Sequence, residues 1–187
     1  EVISTYYALV KPKNLSFDSY RYKIHQIRPQ SLYKEKTFVE VWKDIHHYFE
    51  NTIVVSHDIQ GDMMNLRAAL KQNHIPYPRL LMSCTNVLAH LVYPNLQKYN
   101  LKDLSQMNGF AFQAHHALED AKACAYLLIQ MMEREDVDSL YALHQKYHLE
   151  FGEMKENYYR NIMSAESATQ LLEMNQKEDA LLYHQSI

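Results

Sequence analysis

Three glycines, Gly61, Gly109 and Gly152, are all that 187 residues contain. They are too few and too scattered to build a loop whose backbone cradles a phosphate, which excludes a P-loop NTPase and a dinucleotide-binding fold. Cysteine is rarer still. Cys84 and Cys124 lie in apolar surroundings without a CxxC spacing, and they read as buried free thiols of a reducing compartment. No apolar run approaches the roughly 18 residues that a membrane span needs, and the first residues carry no signal-peptide pattern. The expectation is a cytoplasmic protein with no membrane partner.

Hydrophobic residues make up 47% and charged residues 22%, which suits a globular chain with a substantial core. The net charge of -3 is unevenly spread. Lys11, Lys13, Arg21, Lys23, Arg28, Lys34 and Lys36 are interleaved with Phe17, Tyr20, Tyr22 and Tyr33, whereas acids dominate beyond Glu133. A basic segment studded with aromatics suits a nucleic-acid backbone and its bases. It equally suits a solvated loop whose long side chains lie along the surface.

The hydrophobic pattern alternates between two periods. "VISTYYALV" at residues 2–10 is β-branched and aromatic and ends at "KPKN", which predicts a strand and a loop. "TFVEVWKDIHHYFE" spaces Phe38, Val39, Trp42, Ile45, Tyr48 and Phe49 as an amphipathic helix. "NTIVVSHD" is a short apolar run of the kind found in buried central strands. "GDMMNLRAALKQNHI" returns to helical period, and "PYPRLLMSC" predicts another strand. "TNVLAHLVY" and "NLKDLSQMNGF" predict short helices, and a long helix follows over about 115–133. Strands alternating with helices argue for an α/β sandwich. Past Asp136, "VDSLYALHQKY" and "ESATQLLEMNQKEDALLYH" read as helices joined by a connecting stretch, "HLEFGEMKENYYRN". The chain thus divides into a unit over 1–135 and a helical C-terminal extension over 136–187, which is expected to dock through Leu140, Leu143 and Tyr147. Because it opens inside a strand-like run, the sequence is expected to belong to a longer polypeptide.

Ligands in α/β sheets gather at the carboxyl ends of the strands. There "TIVVSHDIQGD" supplies His57, Asp58 and Asp62, and "HHALED" supplies His115 and Asp120. Two aspartates from separate segments can converge on a hard divalent cation. A histidine beside them can act as a general base, because its pKa lies near working pH. Read singly, each of these residues could instead be a core histidine or a helix cap.

In this order the motifs resemble the DnaQ-like 3′–5′ exonucleases of the DEDDh type, which include the proofreading subunit of bacterial DNA polymerase III. The likeness runs over roughly residues 1–133. "SHDIQGD" matches a motif that usually reads A-H-N-A-x-F-D, and "HHALEDA" closely matches H-x-A-L-x-D-A. "YKIHQI" stands where the family has a turn touching the terminal nucleotide, and "YNLKDLSQMNGF" resembles its leucine-containing segment. The resemblance implies an RNase H-like mixed sheet flanked by helices, with two Mg²⁺ or Mn²⁺ ions on four carboxylates. It makes Asp62 and Asp120 metal ligands and His115 the general base, and it puts His25, Ile27 and His57 near the substrate. The implied substrates are the 3′ ends of single-stranded DNA or RNA. A polymerase or another protein is a possible partner of the C-terminal extension.

The chain departs from that pattern in two places. No Asp-x-Glu strand precedes "VISTYYALV", so residues 1–187 hold half of the implied metal site and are not expected to be competent alone. Within "SHDIQGD", Asp58 replaces the usual Asn and Gly61 the usual Phe. These departures keep open a non-catalytic DnaQ-like module that binds nucleic acid or protein. A third reading, an HD-type phosphohydrolase suggested by His57-Asp58, needs that pair on a helix, whereas here it follows a strand-like run.

Overall fold

A computed structural model describes residues 2–14 and 19–170. The first helix, α1 (Ser19–His25), is followed by a 3₁₀ turn at Pro29–Leu32 and by α2 (Phe38–Ile45). Thr37 and Glu40 form a reciprocal capping box that starts α2, satisfying two backbone N–H groups the helix cannot use. Then come β1 (Thr52–Ser56), α3 (Ile59–Gln72), β2 (Leu80–Cys84), α4 (Thr85–Val92), α5 (Leu101–Met107) and α6 (Ala117–Arg134). The chain continues with α7 (Leu140–Lys146), β3 (Leu149–Glu150), β4 (Gly152–Lys155), β5 (Tyr158–Arg160) and β6 (Met163–Ser164). Residues 165–170 are helical.

Four strands form a mixed sheet in the order β1-β2-β4-β5. β1 and β2 are parallel, in a register that pairs Thr52 with Leu80 and Ser56 with Cys84. β4 runs antiparallel to β2, and β5 antiparallel to β4. On one face of the sheet Leu80, Met82, Cys84 and Met154 bury against Ile59 and Met63 of α3. A second core lies among the helices, where Leu88, Val92, Leu104, Leu127, Met131 and Leu143 of α4 to α7 meet. Both cysteines are free and buried, as their surroundings predicted.

Three expectations need correction. Residues 2–10 are not a strand: the nearest backbone pairing is an isolated bridge between Lys11 and Thr37. A β-branched run becomes a strand where a neighbour accepts its backbone and one face is buried, and here Ile3 is 93% exposed. This segment is held instead by side chains, through the Tyr6 hydroxyl on Asp44 and the Tyr7 ring stacked on His116. Secondly, β1 is an edge strand among the described residues, half-buried throughout, and β2 takes the central place. Thirdly, the stretch read as a connection, residues 148–161, contains strands, and β4 pairs directly with β2. Residues 152–160 are therefore built into the main sheet, while β3 and β6 pair in a separate two-stranded sheet. The Arg67 guanidinium fastens the β4–β5 hairpin to α3, lying 4.3 Å from the Tyr159 ring centroid and 5.5 Å from that of Tyr77. Docking through α7 is as expected, with Leu143 in the helical core and Leu140 and Tyr147 packed on it. Most of the last expected helix lies outside the described residues.

His144 of α7 ties this region to the sheet. Its Nε2 lies 2.8 Å from Ser83 Oγ on β2, and its ring stacks on Phe151 with centroids 3.8 Å apart. Burial lowers its pKa from 6.5 to about 4, opposed in part by the Leu149 backbone. Between those values the unfolded chain binds a proton that the folded chain does not, so stability falls as pH drops through that window. This group should cost about 2 kcal/mol between pH 7 and pH 5, seen as a lower urea midpoint. In His144→Gln, which cannot titrate, that part of the loss should vanish; an equally steep fall would assign the acid sensitivity elsewhere.

Candidate active site

Where β1 and β2 end together, a pocket of about 830 Å³ opens between α3, α5 and α6. Ser56, His57, Asp58 and Asp62 line it from the β1–α3 side, and Asn100, Leu101 and Lys102 from the start of α5. Phe112, Ala114 and His115 come from the loop before α6, and Asp120, Ala121 and Cys124 from α6 itself. Two sequence motifs about fifty residues apart are thus brought to one cavity. His57, His115, Asp62 and Asp120 all line it; His25 and Ile27 do not. Those two meet each other instead, the Ile27 N–H donating to His25 Nδ1 at 2.9 Å.

Each carboxylate accepts a hydrogen bond from a residue close in sequence. Asp58 caps α3, its side chain accepting from the Gly61 N–H at 3.3 Å. Asp62 sits in the first turn of that helix and accepts the Ser56 hydroxyl, which fixes it against the end of β1. Asp120 occupies the first turn of α6 and accepts the His115 N–H at 3.2 Å. That bond holds His115 in the left-handed region, at φ 68°, a conformation that histidine tolerates better than most residues. The His115 side chain is left exposed at the pocket rim. Cys124 follows Asp120 by one helical turn and so shares its face. Burial pushes the Cys124 thiol up to about 11, which makes it an unreactive wall.

His57 is engaged on both ring nitrogens. Nε2 lies 2.8 Å from the Tyr99 carbonyl, which can only accept, so the proton is on Nε2. Nδ1 then accepts the Thr85 hydroxyl at 2.9 Å. The Asn86 amide also donates to the Tyr99 carbonyl, and the Cys84 thiol donates to the His57 carbonyl. Burial lowers the His57 pKa, offset in part by the Tyr99 carbonyl and Asp58, and keeps the ring neutral. Tyr99 is anchored in turn by its hydroxyl on the Tyr93 carbonyl and by its ring on His90. The network ties the second motif to the loop leading into α5. Nothing in the residue spacing announces Thr85, Asn86 or Tyr99 as its members, because they meet His57 only through the fold.

Residues 1–128 match the family model described as exonuclease. The chain belongs to the exonuclease family. The resemblance to DnaQ-like enzymes carried by "HHALEDA" is borne out. Relatives include the 3′-5′ exonuclease DinG of Staphylococcus saprophyticus, 29% identical over 151 residues that make up 80% of this chain and 17% of that protein. The Staphylococcus aureus protein of the same name is 26% identical over 150 residues, with the same two coverages. The chain therefore spans about a sixth of the length of these relatives. Exonuclease X, solved in complex with 5′ overhanging duplex DNA, matches with a TM-score of 0.50 at 24% identity, over 70% of this chain and 74% of that one. That likeness shows the RNase H-like α/β fold. No described helix is long and apolar enough to cross a membrane.

Within this exonuclease-family chain, the pocket's donor set is oxygen-rich. Asp58, Asp62 and Asp120 make no ion pair among the described residues, which leaves three uncompensated acids around one cavity. Oxygen donors of this kind suit Mg²⁺ or Mn²⁺, and Mg²⁺ commonly uses one or two carboxylates with water and substrate phosphate. No group of three or more His, Cys, Asp or Glu side chains is placed to hold a metal among the described residues. Asp62 and Asp120 are two oxygen donors that line the same pocket. The basic segment contributes little to this pocket: Lys36 pairs with Asp44, Lys13 donates to the Gln72 carbonyl, and Arg28 donates to the Tyr22 hydroxyl.

The two departures inside the second motif touch one another. A Cβ at position 61 would meet the Asp58 carboxylate, so a larger residue there requires that carboxylate to shift. Asp58→Ala should lose the cap at a cost of about 1 kcal/mol, a fall of roughly 2–4 °C in Tm for a chain of this size. Asp58→Asn, an equally good cap, should melt close to the parent; matching losses in both would show that the cap contributes nothing.

Proposed function

We propose that this chain is the nuclease unit of a 3′–5′ exonuclease that hydrolyses phosphodiester bonds at single-stranded DNA or RNA 3′ ends. The observation that supports it best is the convergence of Asp62, Asp120 and His115, from separate segments, on one pocket at the carboxyl end of the sheet. Asp62 and Asp120 would hold Mg²⁺ or Mn²⁺, their donor oxygens presented by Ser56 and by the His115 N–H. When bound, two such ions supply an activated water and stabilise the leaving 3′-oxygen. His115, exposed at the rim and tethered only through its backbone, takes the proton of the attacking water. The rigid His57 network keeps the opposing wall in place as the substrate enters.

Two carboxylates are half of the family's set, and the Asp-x-Glu pair of its first motif would supply the rest. Residues 55 and 56 of β1 line the pocket, and the outer edge of β1 is unpaired among the described residues. A strand added on that edge would lie beside the site. A second reading, prompted by Asp58 and Gly61 in place of the family's usual Asn and Phe, is a DnaQ-like module that binds nucleic acid or a protein partner without cutting. In either reading the surface formed by α7 and the β4–β5 hairpin could carry a polymerase or another protein.

The deciding experiment follows the stepwise shortening, and so the nucleotide release, of 5′-labelled single-stranded DNA and RNA by the full-length natural polypeptide with Mn²⁺. His115→Ala should slow release by about 10²–10⁴-fold, and Asp120→Ala or Asp62→Ala at least as much. Degradation at the parental rate by His115→Ala and Asp120→Ala would remove the catalytic assignment. Oligonucleotide binding without cleavage in the parent would favour the non-catalytic module.

A further inference from the structure

Two residues of the pocket lining have a chemistry that neither the metal site nor the general base uses. Among the described lining residues, Lys102 is the only Lys or Arg. Its side chain is exposed and makes no ion pair, whereas nearby Lys98 lies 3.9 Å from Asp103. Lys102 also occupies the second position of α5. A cation there opposes the helix dipole, so the helix itself gains nothing from it. Phe112 is the only aromatic residue of the lining. It is half-buried and makes no ring contact among the described residues, unlike Phe110, which packs on Tyr126.

Two polar side chains of the lining that could read a base edge are already occupied. Asn100 gives its amide to Asp103 and accepts the Asp103 N–H, and both ring nitrogens of His57 are engaged. A free cation and a free aromatic face, without an available amide, suit a phosphate and a stacked base.

Resting on the exonuclease reading, we infer that Lys102 and Phe112 form a nucleotide-binding wall that seats an unpaired nucleotide of the 3′ end. Lys102 neutralises a backbone phosphate and Phe112 stacks on a base. Recognition of this kind is tolerant of sequence, since every base offers a π-face and none is read by hydrogen bonds. The wall selects for a frayed or single-stranded end, because a base held in a duplex has no face free to stack.

Fluorescence anisotropy of the chain with 5′-fluorescein-labelled oligothymidylate and oligocytidylate, in EDTA across a salt series, tests this without turnover. Both oligonucleotides should bind within a few-fold of one another. Lys102→Gln should weaken binding and reduce the salt slope by about 0.7, the value for one phosphate contact on a single strand. Phe112→Leu, which keeps apolar volume, should weaken binding about fivefold or more with the slope unchanged, and Phe112→Tyr should restore it. Lys98→Gln serves as a control expected to bind like the parent. Parental affinity and slope in both Lys102→Gln and Phe112→Leu would overturn the inference while leaving the exonuclease reading intact. Failure of the parent to bind either oligonucleotide would overturn the inference, and the exonuclease reading would then be judged by cleavage with Mn²⁺ alone.

Discussion

The parallel pairing of β1 with β2 is the constraint from which the rest follows. Its register ends both strands at the same level, Ser56 beside Cys84. The residues that come next, His57 on one side and Thr85 on the other, are thereby set within hydrogen-bonding distance. α6 packs against β1 and α4, which brings the start of that helix, with Asp120, to the same end of the sheet. An antiparallel or slipped pairing would scatter these groups, since a shift of one residue turns every side chain to the other face.

His57 shows how burial decides a residue's part. A histidine at the mouth of a candidate metal site invites a role with substrate. Here desolvation holds the ring neutral, and two fixed partners set its tautomer. Its contribution is mechanical: it joins the end of β1 to the Tyr99 loop, and through that loop to the wall formed by α5. His115 is the opposite case. It is exposed, constrained through its main chain, and keeps its ring free. Two histidines from similar-looking motifs thus divide into a buried brace and an exposed ring at the pocket rim.

Much of this arrangement was legible from residue order. The apolar runs at 52–56 and 80–84 became strands, the 3.6-residue patterns became helices, and "HHALEDA" carried the family and the meeting of His115 with Asp120. What escaped was whatever depends on a partner distant in sequence. "VISTYYALV" has the composition of a strand, yet pairing is a property of two segments, and none of the described residues pairs with it beyond one bridge. "FGEMKENYYRN" looked irregular because its alternation is short and interrupted by charges. It folds as a hairpin because β2 presents a bare edge and Arg67 a cation to Tyr159. Lys102 and Phe112 carry no motif, and only the cavity gives them a common address.

The contact between Asp58 and Gly61 also couples two positions of one short turn. A side chain added at 61 meets the Asp58 carboxylate, so a larger residue there requires that carboxylate to shift. The shift is open to it, because the carboxylate is the free end of a short side chain. A change at either position therefore alters the room at the other, without moving the strand before the turn or the helix after it.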